Sequence, residues 1–95
     1  MSLEKLVTKY IHSASHVLET MEIVDDQTNP LMSHVEKVVE SARTYLADAE
    51  FFRKEGRFEV SLTSVAYCEG LLDALRMLGA VRFEWPSRAK DKREK

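Results

Sequence analysis

Residues 58–78 read FEVSLTSVAYCEGLLDALRML, and this stretch decides the fold. Its apolar residues recur at steps of three and four positions, which is the period of one face of an α-helix. The central face consists of Val65, Cys68, Leu72 and Leu75. Further leucines broaden this stripe, so the predicted helix is apolar on almost every side. Such a helix has neighbours on several sides, which predicts a helical bundle around it.

Two earlier segments have the same period and predict helices over residues 3–23 and 30–55. The first carries the apolar seam Leu3, Val7, Tyr10, Ala14, Val17 and Met21. The second carries Leu31, Val35, Val38, Ala42, Tyr45, Ala49 and Phe52, widened by Val39 and Leu46. Both seams are typical of helices that pack lengthwise on one another.

The helix ends have recognisable signals. Ser2 is a suitable N-cap for the first helix, and Asn29 followed by Pro30 is an N-cap with proline at the first helical position. Gly56 is expected to end the second helix with a positive φ, and Gly79 to cap the end of the third.

The arrangement of the three predicted helices follows from the short loops between them. Consecutive helices joined by a few residues pack antiparallel, which predicts an all-α, up-down-up three-helix bundle in one domain of residues 1–86. Beyond the third helix, Val81, Phe83 and Trp85 alternate with charged residues and predict a short extended segment that folds back on the bundle. Residues 87–95 are expected to form a disordered basic tail.

The composition indicates a globular protein. Of the 95 residues, 44% are hydrophobic and 32% are charged, which is too apolar for a disordered chain and too interrupted by charge for a membrane span. The first residues lack the basic patch and apolar run of a secretion signal, and Cys68 is the single cysteine. We therefore expect a cytoplasmic protein in a reducing compartment, with no membrane partner.

Charge is divided between the tail and the rest of the chain. The tail carries a net +3 and the remaining residues a net −5. An acidic body disfavours nucleic acid as a partner, because phosphates are bound by clustered Lys and Arg over a whole surface. The tail alone is the candidate polyanion contact, through Arg88, Lys90, Lys92, Arg93 and Lys95.

Three motifs together resemble a known family. They are Tyr45-x-x-Asp48-x-x-x-Phe52-x-x-x-Gly56, the block Glu69-Gly70-Leu71-Leu72-Asp73-Ala74, and Gly79-x-Val81-x-Phe83-x-Trp85. Over the second and third helices and the Trp85 segment, the chain is similar to the archaeal domain-of-unknown-function family 357. The resemblance implies a compact three-helix bundle from an archaeon, and it implies no activity, since none is assigned to the family.

The first helix contains a weak candidate metal site. His12 and His16 lie four residues apart and Glu19 continues the same face, which is ligand spacing for a divalent metal. These positions are opposite the apolar seam, however, so the favoured interpretation is a solvated polar face.

Glu69 and Asp73 lie one turn apart on the most apolar helix. Two close carboxylates could perform acid–base chemistry or hold a cation. We favour the alternative that ion pairs neutralise them. The expected partners are Arg76, at i+3 from Asp73, and Arg43, Arg53 or Lys37 of a neighbouring helix.

Gly70 lies inside the predicted third helix, where glycine costs about 1 kcal/mol relative to alanine. With Ala66 and Ala74 it forms a strip of small residues spaced by four, which allows another backbone to approach closely. We favour an approach from within the same chain over a dimer contact. Tyr67 is interpreted as a core or rim aromatic, and Cys68 as a small core residue.

Three functions remain open. The leading hypothesis is a protein–protein interaction or assembly module without catalytic activity, either a homodimer or docked on a larger protein. Its surface would comprise Ala66, Tyr67, Gly70 and Ala74, with exposed apolar groups near Phe83 and Trp85. The alternatives are a nucleic-acid accessory protein that uses the basic tail, and a small-ligand or metal site at Glu69 and Asp73. No nucleotide loop or catalytic motif is present, so no cofactor is expected.

Overall fold

The computed structural model describes residues 1–24 and 30–86. It contains three helices, α1 (Leu3–Thr20), α2 (Met32–Lys54) and α3 (Phe58–Met77), and two short strands, β1 (Glu22–Ile23) and β2 (Val81–Arg82). The predicted all-α, up-down-up three-helix bundle is confirmed. None of the helices in the described ranges is long and apolar enough to span a membrane.

The predicted helix ends are mostly correct. The Ser2 hydroxyl accepts a hydrogen bond from the Lys5 backbone N–H at 3.2 Å and caps α1. Gly56 and Gly79 have φ of +77° and +78°, and each directly follows the C-cap residue of its helix. Both glycines therefore end helices through a left-handed conformation that other residues adopt at a cost.

Two helix boundaries differ from the predictions by two residues or more. The chain leaves α1 at Thr20 instead of residue 23, because Glu22 and Ile23 pair with a strand. Helix α2 begins at Met32, two residues later than expected, with Leu31 as its N-cap. The Leu31 carbonyl accepts the hydrogen bond from the Val35 N–H at 3.0 Å, whereas Pro30 lies in the preceding turn. The predicted N-cap Asn29 lies outside the described residues.

The core lies between all three helices. It contains Val7, Ile11, Ala14, Val17, Leu18, Val39, Ala42, Leu46, Ala49, Val65, Cys68, Leu72, Leu75, Val81 and Trp85. The predicted central face of α3 is entirely buried. On α1 the buried stripe includes Ile11 and Leu18 in place of Leu3, which is exposed, and Leu31 at the start of α2 is exposed as well.

Helices α2 and α3 form the most extensive pair of the bundle. Small, fully buried residues on both helices allow the backbones to approach closely: Ala42, Ala49, Ser61 and Cys68. The Ser61 hydroxyl donates a hydrogen bond of 2.6 Å to the Ala49 carbonyl, which satisfies a polar group that would otherwise be buried without a partner.

A two-stranded antiparallel ribbon closes one end of the bundle. Glu22 pairs with Arg82 and Ile23 with Val81, and the Val24 N–H donates to the Ala80 carbonyl at 2.9 Å. The expected extended segment after α3 is therefore present and packs back on the bundle. Its pairing with the chain after α1 is a feature that the sequence did not predict.

Candidate interaction surface

One side of α3 lies opposite its buried stripe and is largely exposed. We call this surface the α3 outer face and define it by Thr63, Ala66, Tyr67, Gly70, Ala74 and Met77. Its residues recur at steps of three and four on the side opposite the buried stripe, so they share one face of the helix. Tyr67 is 57% exposed and Met77 is 78% exposed, whereas Ala74 is half-buried at the edge. The C-cap residue Leu78, at 81% exposed, extends the apolar surface beyond the helix.

The α3 outer face has little charge. Between Val60 and Leu72 the single charged residue of the sequence is Glu69, which is 9% exposed and faces α1. The Thr63 hydroxyl donates to the Glu59 carbonyl at 2.9 Å, so its donor is used within the helix. More than three helical turns thus present an uncharged surface to solvent.

The Tyr67 ring is held in place from the neighbouring helix. It stacks on the ring of Tyr45 in α2, with centroids 4.4 Å apart and planes inclined by 26°. A preordered aromatic residue loses little conformational freedom when a partner covers it, which is a property of residues that contribute strongly to protein interfaces.

Gly70 does not serve the close intramolecular approach that we favoured from the sequence. The residue is exposed, and beyond its own helix no described residue has an atom within 4 Å of the position that a Cβ would take. The small strip points to solvent because the buried stripe of α3 lies on the other side of the helix. The cost of a glycine in mid-helix is therefore not explained by packing among the described residues.

Trp85 and Phe83 are covered by the bundle. Trp85 is 6% exposed, and its ring packs edge-to-face with the half-buried Phe83 at a centroid distance of 5.0 Å. The Trp85 indole N–H donates a hydrogen bond of 2.7 Å to Asp73 Oδ1, which ties the C-terminal segment to α3. The exposed apolar area that we expected beside these rings lies instead on Tyr67, Met77 and Leu78.

Glu69 and Asp73 have different surroundings. Asp73 accepts the Trp85 hydrogen bond and forms an ion pair with Arg76 at 3.5 Å, as the i+3 spacing predicted. Glu69 lines a groove between α1 and α3, and Asp73 is not part of that lining. The two carboxylates therefore lie in different surroundings, Asp73 beside Trp85 and Arg76 and Glu69 at the α1–α3 groove.

The α1–α3 groove runs beside the α3 outer face. Its volume is about 360 Å³, and it is lined by Leu6, Tyr10, Leu62, Val65, Ala66 and Glu69. Ala66 belongs both to the groove and to the outer face, so the two surfaces are continuous.

Cys68 is buried in the core and is a free thiol. Burial, and then the negative charge of Glu69, raise the pKa of its thiol from 9.0 to about 12. A thiol with so high a pKa remains protonated at neutral pH and is a poor nucleophile, which agrees with the expected role as a core residue.

The raised pKa of Cys68 predicts a pH-dependent stability. Above pH 9 the unfolded chain loses the thiol proton while the folded chain keeps it, so the free energy of unfolding should fall by up to about 1.4 kcal/mol per pH unit until about pH 12. Chemical denaturation at several pH values would measure this slope. Because Lys and Tyr also titrate in this range, the readout is the difference from Cys68→Ala, and parallel curves for the two chains would contradict the prediction.

The candidate metal ligands do not form a site. His12, His16 and Glu19 are exposed on α1, and Glu19 Oε1 accepts a hydrogen bond from the Ser15 hydroxyl at 3.3 Å. Within residues 1–24 and 30–86, no three His, Cys, Asp or Glu side chains are grouped so that they could hold a metal ion. The candidate polyanion contacts Arg88, Lys90, Lys92, Arg93 and Lys95 lie outside the described residues.

The three helices and the α3 outer face define a helical bundle with an exposed apolar surface. Residues 9–81 match the family described as protein of unknown function (DUF357). The chain belongs to this family. The match includes all of α2 and α3 and most of α1, and it confirms the resemblance inferred from the three motifs. No curated protein and no solved structure matches the chain.

Proposed function

We propose that this protein is an assembly module that binds a second copy of itself through the α3 outer face. The supporting observation is the uncharged, exposed apolar surface of α3, which has an open glycine at its centre. It is an interaction function and requires no catalytic group.

Burying the exposed apolar side chains in an interface is energetically favourable. Contact with water is unfavourable for the apolar surfaces of Tyr67, Met77 and Leu78, and covering them gains roughly 25 cal/mol per Å². Gly70 destabilises the isolated helix by about 1 kcal/mol relative to alanine. A glycine at this position is explained if the missing Cβ lets a second helix pack closely against it. The axes of closely packed helices are generally about 8–10 Å apart.

A second copy suits this surface electrostatically. Two identical faces repel each other when they carry charges of one sign, and the α3 outer face carries none along its central turns. The whole chain has a formal net charge of −2, which opposes association only weakly.

Substitution of Gly70 tests the proposal. Gly70→Lys should convert a dimer into a monomer, lowering the association constant by about a hundredfold or more, because two ammonium groups would meet in an apolar contact. Gly70→Ala is the matched control: it should keep most of the association and raise the stability of the isolated bundle by about 0.5–1 kcal/mol. Both side chains have open space in the monomer, so both variants should fold.

The measurement is the solution mass by light scattering over a dilution series, with circular dichroism to verify folding. The proposal requires that the full chain dimerises in a concentration-dependent way. A monomeric mass at every concentration, or equal association of Gly70→Lys and the unmodified chain, would contradict it.

A further inference from the structure

The size of the α3 outer face limits what it can do alone. From Thr63 to Met77 the face is about 21 Å long and roughly 10 Å wide, a footprint of roughly 210 Å². Stable protein interfaces bury about 800 Å² on each partner. A dimer through α3 therefore needs additional contacts beside the helix. The α1–α3 groove is a depression in that position, and its lining is apolar apart from Glu69 and the Tyr10 hydroxyl.

The helical period places Met77 on the groove side of the outer face. Met77 follows Ala66 by eleven residues, which corresponds to three turns and a displacement of only about 20° around the axis. Ala66 lines the groove, so Met77 is on the same edge of the helix but about 16 Å further along it. Within one copy, Met77 is too far along α3 to line its own groove.

The direction of pairing decides whether Met77 reaches a groove in the other copy. In a parallel pair, equivalent residues lie at the same height and each Met77 stays at the end far from both grooves. In an antiparallel two-fold pair that crosses at Gly70, the residue seven positions after Gly70 lies opposite Thr63, seven positions before it. The edge of α3 that carries Ala66 and Met77 then faces the same edge of the other copy. Met77 of one copy therefore lies at the height of Leu62 and Ala66 of the other.

The chemistry of Met77 fits the groove. Its unbranched thioether adapts to irregular apolar surfaces, and sulfur makes favourable contacts with aromatic rings such as that of Tyr10. Helical side chains also lean towards the N-terminus of their own helix, which directs Met77 of the second copy over the groove instead of past its end.

We infer that two copies pair through antiparallel α3 helices that cross at Gly70, and that Met77 of each copy occupies the α1–α3 groove of the other. This inference rests on the proposed self-association. It makes each groove a binding site that the second copy completes.

Disulfide trapping tests the direction of pairing. The variants Ala66→Cys and Ala74→Cys are mixed and oxidised. Positions 66 and 74 lie four residues on either side of Gly70, so the antiparallel pair should trap a mixed disulfide between the two variants. A parallel pair should instead trap each variant with itself. The buried native Cys68 is present in both variants, and the unmodified chain gives the background.

Truncation of Met77 tests occupancy of the groove. Met77→Ala should weaken dimerisation about tenfold or more, as loss of a buried interface anchor does. Phe51→Ala is the control, since Phe51 is an exposed apolar residue on α2 that lines a different groove, and its truncation should leave the association constant unchanged.

The outcomes separate this inference from the proposed function. A chain that is monomeric at all concentrations overturns both. A dimer that traps Ala66→Cys with itself retains the proposed function and overturns antiparallel pairing. A mixed disulfide together with equal affinities for Met77→Ala and Phe51→Ala retains the direction of pairing and overturns the role of the groove.

Discussion

Replacing Trp85 with alanine is expected to lower the free energy of unfolding by about 3–5 kcal/mol, the usual cost of removing a buried aromatic side chain. Trp85 is almost completely buried, contacts Phe83 edge-to-face and donates a hydrogen bond to Asp73. Single domains are stable by only about 5–15 kcal/mol, so the variant should lose a large share of its stability. Urea denaturation followed by circular dichroism would measure the loss without relying on tryptophan fluorescence.

Two control variants separate the contributions of Trp85. Trp85→Phe keeps an aromatic ring but removes the indole N–H, so the loss should be only about 1–2 kcal/mol, mainly from the hydrogen bond to Asp73. Glu84→Ala changes an exposed neighbour and should have an effect within about 0.5 kcal/mol. If Trp85→Ala were as mild as Glu84→Ala, the segment after α3 would contribute nothing to the folded state.

The helices were predictable because their signals are local. The apolar period identified three helices, and Ser2, Gly56 and Gly79 marked three of their ends correctly. The pairing of β1 with β2 joins residues separated by almost the whole bundle, and each strand has only two residues. No local pattern encodes such a pairing, so the apolar Met21 and Ile23 were assigned to a last turn of α1 that does not form.

The exact position of each buried stripe was less predictable than the helices. Ile11 and Leu18 flank the predicted seam of α1 and are buried, whereas Leu3 is exposed. A period of three and four positions allows two adjacent stripes on one helix. The placement of the neighbouring helices selects between them, and that placement is a property of the tertiary structure.

The candidate interaction surface was predicted in part for the same reason. The sequence identified the strip of Ala66, Gly70 and Ala74, but a helix that is apolar almost all round does not reveal which side faces inward. The structure places Gly70 outward, and it adds Met77 and Leu78 to the surface. Met77 continues the spacing of the strip, seven residues after Gly70, and this signal could have been recognised from the sequence.

Replacing Leu72 with alanine is expected to cost about 2–5 kcal/mol of unfolding free energy, because it opens a cavity where the surrounding helices cannot fully collapse. Leu72 is 0% exposed and lies at the centre of the α3 core stripe. Its neighbour Leu71 is half-buried against the same core and is the matched control, with an expected loss of about 1 kcal/mol for Leu71→Ala.

The comparison of Leu72→Ala with Leu71→Ala uses chemical denaturation at one protein concentration below the dimer range, so that association does not add to the stability. Equal losses would mean that the buried stripe of α3 is displaced by one position. In that case the outward placement of Gly70 and Met77 would also be wrong, because both are fixed relative to Leu72 by the helical period. The core substitution therefore tests, independently of any partner, the geometry on which the proposed interaction surface depends.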